Sequence, residues 1–156
     1  MKAFGILLTL AMLGLTLTAS GALAAGSGER EVPRAQPTSL PSAEQEYNRG
    51  IAAKNAKNWQ AAVGSFQKAV SLKPAFPEAW NELGFALRNQ GNYPDSLKAY
   101  DEALRLKPNF PEALEYLGEA YVKLGRVDDA RKILERLKPL DAGRATELAE
   151  AIDKGK

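Results

Sequence analysis

The stretch Leu72-Lys-Pro-Ala-Phe-Pro-Glu-Ala-Trp80 recurs further along the chain as Leu106-Lys-Pro-Asn-Phe-Pro-Glu-Ala-Leu114, at an offset of 34 residues. The same offset relates Gly50, Gly84 and Gly118. A period that is held at this many positions over three copies is the sequence signature of an array of stacked structural units. The residues after about position 42 are therefore predicted to form a repeat array.

Each copy is predicted to form two helices. In the middle copy Pro77 suits the first position of a helix, because its missing N–H has no partner there. The apolar and small residues that follow share one helical face, at Trp80, Leu83, Gly84 and Leu87. A second stripe after Gly91 predicts the partner helix, and it contains Tyr100, which the offset relates to Phe66 and Leu134.

This pattern resembles the tetratricopeptide repeat family, whose copies are helix pairs with this period. The matching positions in copy two are Trp80, Leu83, Gly84, Ser96, Tyr100, Ala103 and Pro108. The resemblance implies an all-α, right-handed α-solenoid of three helix pairs, with copies at 43–76, 77–110 and 111–144. An apolar stripe beyond them predicts a capping helix at 141–153, overlapping the end of copy three.

The two end copies depart from the family pattern. Copy three has Leu137 and Ala142 where the family usually has Ala and Pro, and copy one has Glu46, Arg49 and Ala53 in its first helix. Such departures are expected at both ends of an array, because a terminal helix faces water on one side.

The first 25 residues are predicted to be a secretory signal peptide. Lys2 precedes an uncharged apolar run from Ala3 to about Ala19, and Ala22-Leu23-Ala24 supplies the small residues of a cleavage site. The short start with one Lys is typical of a bacterial protein, so we expect export to the periplasm or beyond. The alternative is an uncleaved inner-membrane anchor formed by residues 3–25, which could just span a bilayer.

Residues 26–42 are predicted to be a flexible linker. The segment contains Pro33, Pro37 and Pro41 with several Ser and Gly, and it has few large apolar residues. Such a composition cannot bury enough apolar surface to offset the entropy that ordering costs.

Composition excludes several classes of function. The chain has no Cys and no His, so thiolate sites, imidazole ligands and histidine bases are all excluded. The net charge of +2 argues against a nucleic-acid partner, which would normally meet a strong basic excess. We expect no cofactor and no metal, and any catalysis would depend on carboxylates, Lys, Tyr, Ser or Thr.

In the tetratricopeptide repeat family the first helices of successive copies line a concave groove. The groove positions of each copy begin at Glu44, Glu78 or Glu112. The predicted partner-binding residues are Tyr47, Ile51, Lys54, Asn81, Phe85, Arg88, Glu115, Glu119 and Val122. Phe85 could equally pack on neighbouring helices, and packing is the favoured interpretation for Ile51.

The acids of copy three admit more than one interpretation. Glu112 suits a helix start, where an acid favours the helix dipole, but Glu119 lies nearly two turns further in. Together with Glu115 they could form an acidic patch for a basic partner, or a carboxylate pair for glycoside hydrolysis.

Some family members bind the C-terminal carboxylates of chaperones through Lys, Arg and Asn in the groove. The corresponding places here hold Tyr47, Ile51, Glu82, Glu112 and Tyr116, so that activity is not expected. The sequence therefore predicts a non-enzymatic adaptor that binds a protein or peptide, with cell-envelope assembly as one role. Self-association into a homo-oligomer is the second hypothesis, and a carboxylate-based hydrolase is the third.

The mature protein is expected to begin at Ala25, because cleavage should follow Ala24. N-terminal sequencing of the protein from the secreted or periplasmic fraction checks this. Recovery of an intact Met1 from the membrane fraction would instead support the anchor.

Overall fold

The computed structural model describes residues 41–155, and in that range the chain forms helices and no strand. The predicted signal peptide, and all but the last two residues of the predicted linker, lie outside the described residues. None of the described helices is long and apolar enough to span a membrane. The helices are α1 (Ala43–Asn55), α2 (Trp59–Leu72), α3 (Pro77–Asn89), α4 (Tyr93–Leu106), α5 (Pro111–Lys123), α6 (Val127–Leu137) and α7 (Ala142–Lys154).

The helices pack in the order of the chain. α1 packs on α2, α3 on α4 and α5 on α6, and each pair also packs on the next. The first helices touch one another in turn, from α1 to α3, α3 to α5 and α5 to α7. The predicted all-α solenoid of three helix pairs with a capping helix is confirmed.

Local sequence explains where the helices begin and turn. Ser42, which falls in the predicted linker, caps α1 in a reciprocal capping box with Gln45, so the folded part includes at least this residue of the linker. At the turn within each pair the backbone takes a positive φ, at Gly91 (82°), Gly125 (70°) and Lys57 (56°). Glycine adopts this conformation without strain, whereas Lys57 adopts it at some cost in copy one.

Close contact at a glycine holds each of the first two helix pairs together. A Cβ atom built on Gly84 would lie 2.6 Å from Cε1 of Tyr100, and one on Gly50 would lie 2.4 Å from Cε1 of Phe66. Both aromatic rings are fully buried. The missing side chain therefore provides the space that the ring of the second helix occupies.

The third pair is completed by α7. The atoms nearest to a Cβ on Gly118 belong to Leu148 of α7, at 2.5 Å, rather than to Leu134, which the sequence offset pairs with Phe66 and Tyr100. Leu137 is fully buried where the family usually has Ala, and the side chain of Asp141 caps α7. The capping helix therefore supplies the residue that the second helix supplies in the other copies.

Gly84→Ala is expected to destabilise the protein by about 1–3 kcal/mol, because the buried ring of Tyr100 must shift to admit the new methyl group. Gly64→Ala is the matched control, since nothing lies within 4 Å of its Cβ position in α2. The control should be neutral or stabilising by about 0.5–1 kcal/mol, because Ala is the better helix former. Urea unfolding followed by circular dichroism measures both; equal effects would contradict the close contact.

Leu148→Ala is expected to cost about 2–5 kcal/mol, because this side chain is fully buried between α7 and Gly118. Gly118→Ala should be costly in the wild type and nearly neutral in the Leu148→Ala background, which leaves room for a methyl group. A double-mutant cycle in urea tests this coupling. If the two effects simply add, Leu148 does not fill the space at Gly118.

Candidate partner-binding groove

The helices α1, α3, α5 and α7 lie in a row and together present one continuous surface, which we call the groove face. The predicted groove residues that remain partly exposed there are Tyr47, Ile51, Lys54, Phe85, Arg88, Glu119 and Val122. Ile51 also packs against the core of the first two copies, in agreement with the packing interpretation.

A row of aromatic rings runs from Trp59, the first residue of α2, onto the groove face. The ring of Phe85 lies 6.0 Å from that of Trp59 and 5.1 Å from that of Tyr116, measured between centroids. Nζ of Lys54 and the guanidinium carbon of Arg88 each lie 5.4 Å from the Phe85 centroid, within range of cation–π attraction. Phe85 thus packs on its neighbours and also stays partly exposed. Sequence reasoning did not include Trp59 in the groove.

Ion pairs join each first helix to the next. Nζ of Lys54 in α1 donates to Oε2 of Glu82 in α3 at 2.7 Å. Arg88 of α3 binds Glu119 of α5, and Arg144 of α7 binds Glu115 of α5. The partners are 28 to 31 residues apart, so the pairs link successive copies across the groove face. We call this set the ion-pair ladder.

The ladder corrects one sequence-based expectation. Glu115 and Glu119 do not form an open acidic patch, because an arginine neutralises each of them. The side chain of Arg144 packs onto Glu115. The sequence contains an indication of these ion pairs, because each acid has a basic residue close to one copy period away.

Two predicted groove residues lie beneath the surface. Asn81 is 1% exposed and Glu115 is 3% exposed, so neither offers an open contact to a partner. Oδ1 of Asn81 and Oη of Tyr100 are buried, and no hydrogen-bond partner satisfies either atom among the described residues. The sequence predicted which side of the helix each residue occupies. It did not predict how deeply the residue is buried, because burial depends on the side chains of neighbouring helices.

Burial shifts the pKa of Glu82 and of Glu115 in the ladder. Burial raises the pKa of Glu82, and the hydrogen bond from Lys54 acts in the opposite direction. Burial likewise raises the pKa of Glu115, where Arg144 opposes the change and the neighbouring Glu147 adds to it. Burial raises the pKa of Tyr116 to about 12. Glu82 and Glu115 each join one first helix to the next through an ion pair.

The groove face ends at a cavity of about 490 Å³ between α3, α5 and α7. Its basic residues are Arg88, Lys123 and Lys154, and its one acid is Glu119. Val122, one of the predicted groove residues, lines the same cavity. Among residues 41–155 no group of His, Cys, Asp or Glu side chains could hold a metal ion. The groove face thus presents aromatic rings, charged side chains and a concave cavity.

Comparison with known proteins identifies the family. A family model described as tetratricopeptide repeat matches residues 47–109 and 83–145. No curated protein matches the sequence.

Solved structures share the fold. The TPR2B domain of yeast Sti1, solved as a complex with pHsp70, is 19% identical with a TM-score of 0.68, covering 72% of this chain and 94% of that one. PcrH in complex with the chaperone binding region of PopD is 22% identical with a TM-score of 0.66, covering 72% and 89%. MamA is 30% identical with a TM-score of 0.58, covering 73% and 62%. Because the family model covers more than half of the sequence, the chain belongs to the tetratricopeptide repeat family.

Proposed function

We propose that this protein is an exported adaptor that binds a peptide or protein partner on the groove face. The observation that carries the proposal is the row of partly exposed rings formed by Trp59, Phe85 and Tyr116, with the cations of Lys54 and Arg88 beside it. Aromatic side chains bury much apolar area on binding and are enriched among the residues that contribute most to affinity.

The ion-pair ladder supports the same function. It fixes long side chains that would otherwise lose conformational freedom when a partner binds. A preorganised surface binds more tightly because less side-chain entropy is lost on association. The ladder also leaves the centre of the groove face with little net charge of its own, so specificity depends on the residues around it.

The comparisons support the class of function. The Sti1 domain and PcrH were each solved as a complex with another protein or a region of one. Export rests on the signal-peptide pattern of residues 1–25, and the periplasm or the secreted fraction is the proposed location, with inner-membrane anchoring as the alternative. Cell-envelope assembly is the proposed setting.

A binding role is favoured over the hydrolase hypothesis. A general acid or base must exchange its proton with substrate during the reaction. The carboxylates of Glu115 and Glu119 each hold an arginine instead, and Glu115 is buried.

A photo-crosslinking amino acid at Val122, which lines the groove cavity, is expected to capture a partner protein in intact cells. The matched control places the same amino acid at Lys132. This side chain is 77% exposed and lies on α6, the second helix of copy three, away from the groove face. Denaturing gel electrophoresis should show the crosslinked product only for Val122, and Phe85→Ala together with Tyr116→Ala should abolish it.

Other outcomes separate the alternatives. A product of twice the chain mass would favour self-association over an adaptor. A product from Lys132 alone would place binding on the outer surface and contradict the groove proposal. Circular dichroism of each variant checks that the helices are retained.

A further inference from the structure

Among the described residues, the acid at the start of the first helix forms an ion pair in copies one and two and forms none in copy three. Nζ of Lys73 lies 2.8 Å from Oε1 of Glu44, and Nζ of Lys107 lies 3.3 Å from Oε1 of Glu78. The equivalent of these lysines in copy three is position 141, which is Asp141. Within residues 41–155 Glu112 forms no ion pair, and its neighbours are Tyr116, to which it is hydrogen-bonded, and the more distant charge of Arg144.

Glu112 acts on several parts of the groove face. Burial raises the pKa of Tyr47 on α1, and carboxylates that include Glu112 raise it further. Burial also raises the pKa of Tyr116 on α5, and Glu112 is the next cause. Glu112 contributes in the same direction at Glu82 on α3. The field of this one carboxylate thus reaches residues on three first helices.

The surroundings of Glu112 suit a cationic side chain. Glu112 is partly exposed, and the partly exposed rings of Tyr47 and Tyr116 lie close enough to feel its charge. A Lys or Arg placed here gains a carboxylate partner together with the faces of aromatic rings. Arg144, near the start of α7, does not form an ion pair with Glu112, because it is bound to Glu115 and lies 3.5 Å from Asp141.

The opposite charge is found at the other end of α5. Lys123 has no ion-pair partner in the described part of the chain, and Lys154 pairs only with the exposed Glu150. Exposed pairs of this kind are weak. Both lysines line the cavity of about 490 Å³ together with Arg88. With Glu119 as the only acid in its lining, this cavity suits an acidic side chain.

The two charged sites lie on one face of one helix. Glu112 and Lys123 are eleven residues apart, which is about three helical turns, so they project from the same side of α5 about 16 Å apart. An extended chain advances about 3.3 Å per residue and covers this distance in about five residues.

We propose that the groove face selects an extended segment of a partner protein that carries a basic residue at Glu112 and an acidic residue about five positions away at the Lys123 cavity. This inference rests on the proposed function and adds the chemistry of the partner. The aromatic row provides contact area between the two ends, and the unpaired charges provide orientation and selectivity.

Selection from a displayed library of random 12-residue peptides tests the proposal. The immobilised protein should enrich peptides that contain Lys or Arg and Asp or Glu four to six positions apart. The best peptide, measured by fluorescence anisotropy, should bind Glu112→Gln about tenfold more weakly than the wild type. Replacing the basic residue of the peptide with Gln should remove the difference between the two proteins. Lys123→Gln with Lys154→Gln should weaken binding through the acidic residue only.

Glu78→Gln is the matched control, because Glu78 occupies the same place in copy two and already has Lys107 as its partner. Its affinity for the peptide should stay within about twofold of the wild type. Enriched peptides without the charge spacing, or an equal loss in Glu78→Gln, would overturn the proposed selectivity and leave groove binding intact. Failure to enrich any peptide would overturn groove binding itself and this inference with it.

Discussion

The distance between paired helices is the constraint on which the rest of the structure depends. At Gly50 and Gly84 the absence of a side chain lets a buried aromatic ring of the second helix lie against the backbone of the first. Because packed interiors tolerate little change in volume, this contact fixes how near the helices come. That spacing in turn places the first helices side by side, and only then can Lys54 reach Glu82 and Arg88 reach Glu119. The groove face is thus a consequence of core packing.

The groove face combines strong local interactions with a small overall charge. Most of its charged residues form ion pairs with one another, and these pairs join α1 to α3, α3 to α5 and α5 to α7. A surface of this kind resists distortion because each first helix is tied to the next. The charges left over, at Glu112 and Lys123, are few and far apart. They can therefore distinguish partners without causing nonspecific binding of charged molecules to the whole surface.

The fold could be predicted from the sequence because its determinants are periodic. Glycines, prolines and apolar stripes recur every 34 residues, and each has a local physical meaning in a helix pair. The groove was harder to predict, because the position of a residue on a helix indicates which way its side chain points but not how deeply it is buried. Asn81 and Glu115 were predicted to contact a partner in the groove, yet both are buried. The partner of Gly118 was also missed, because Leu148 comes from α7, outside the repeat.

The packing of Leu148 against Gly118 also limits how such a chain can change length in evolution. The first helix of copy three, α5, is already covered by α7. A copy added after α7 would therefore have no exposed helix of this kind to stack on. Duplication of the middle copy, by contrast, would reproduce junctions that already exist on both of its sides. A longer descendant would therefore gain copies in the interior of the array, between α1 and α7.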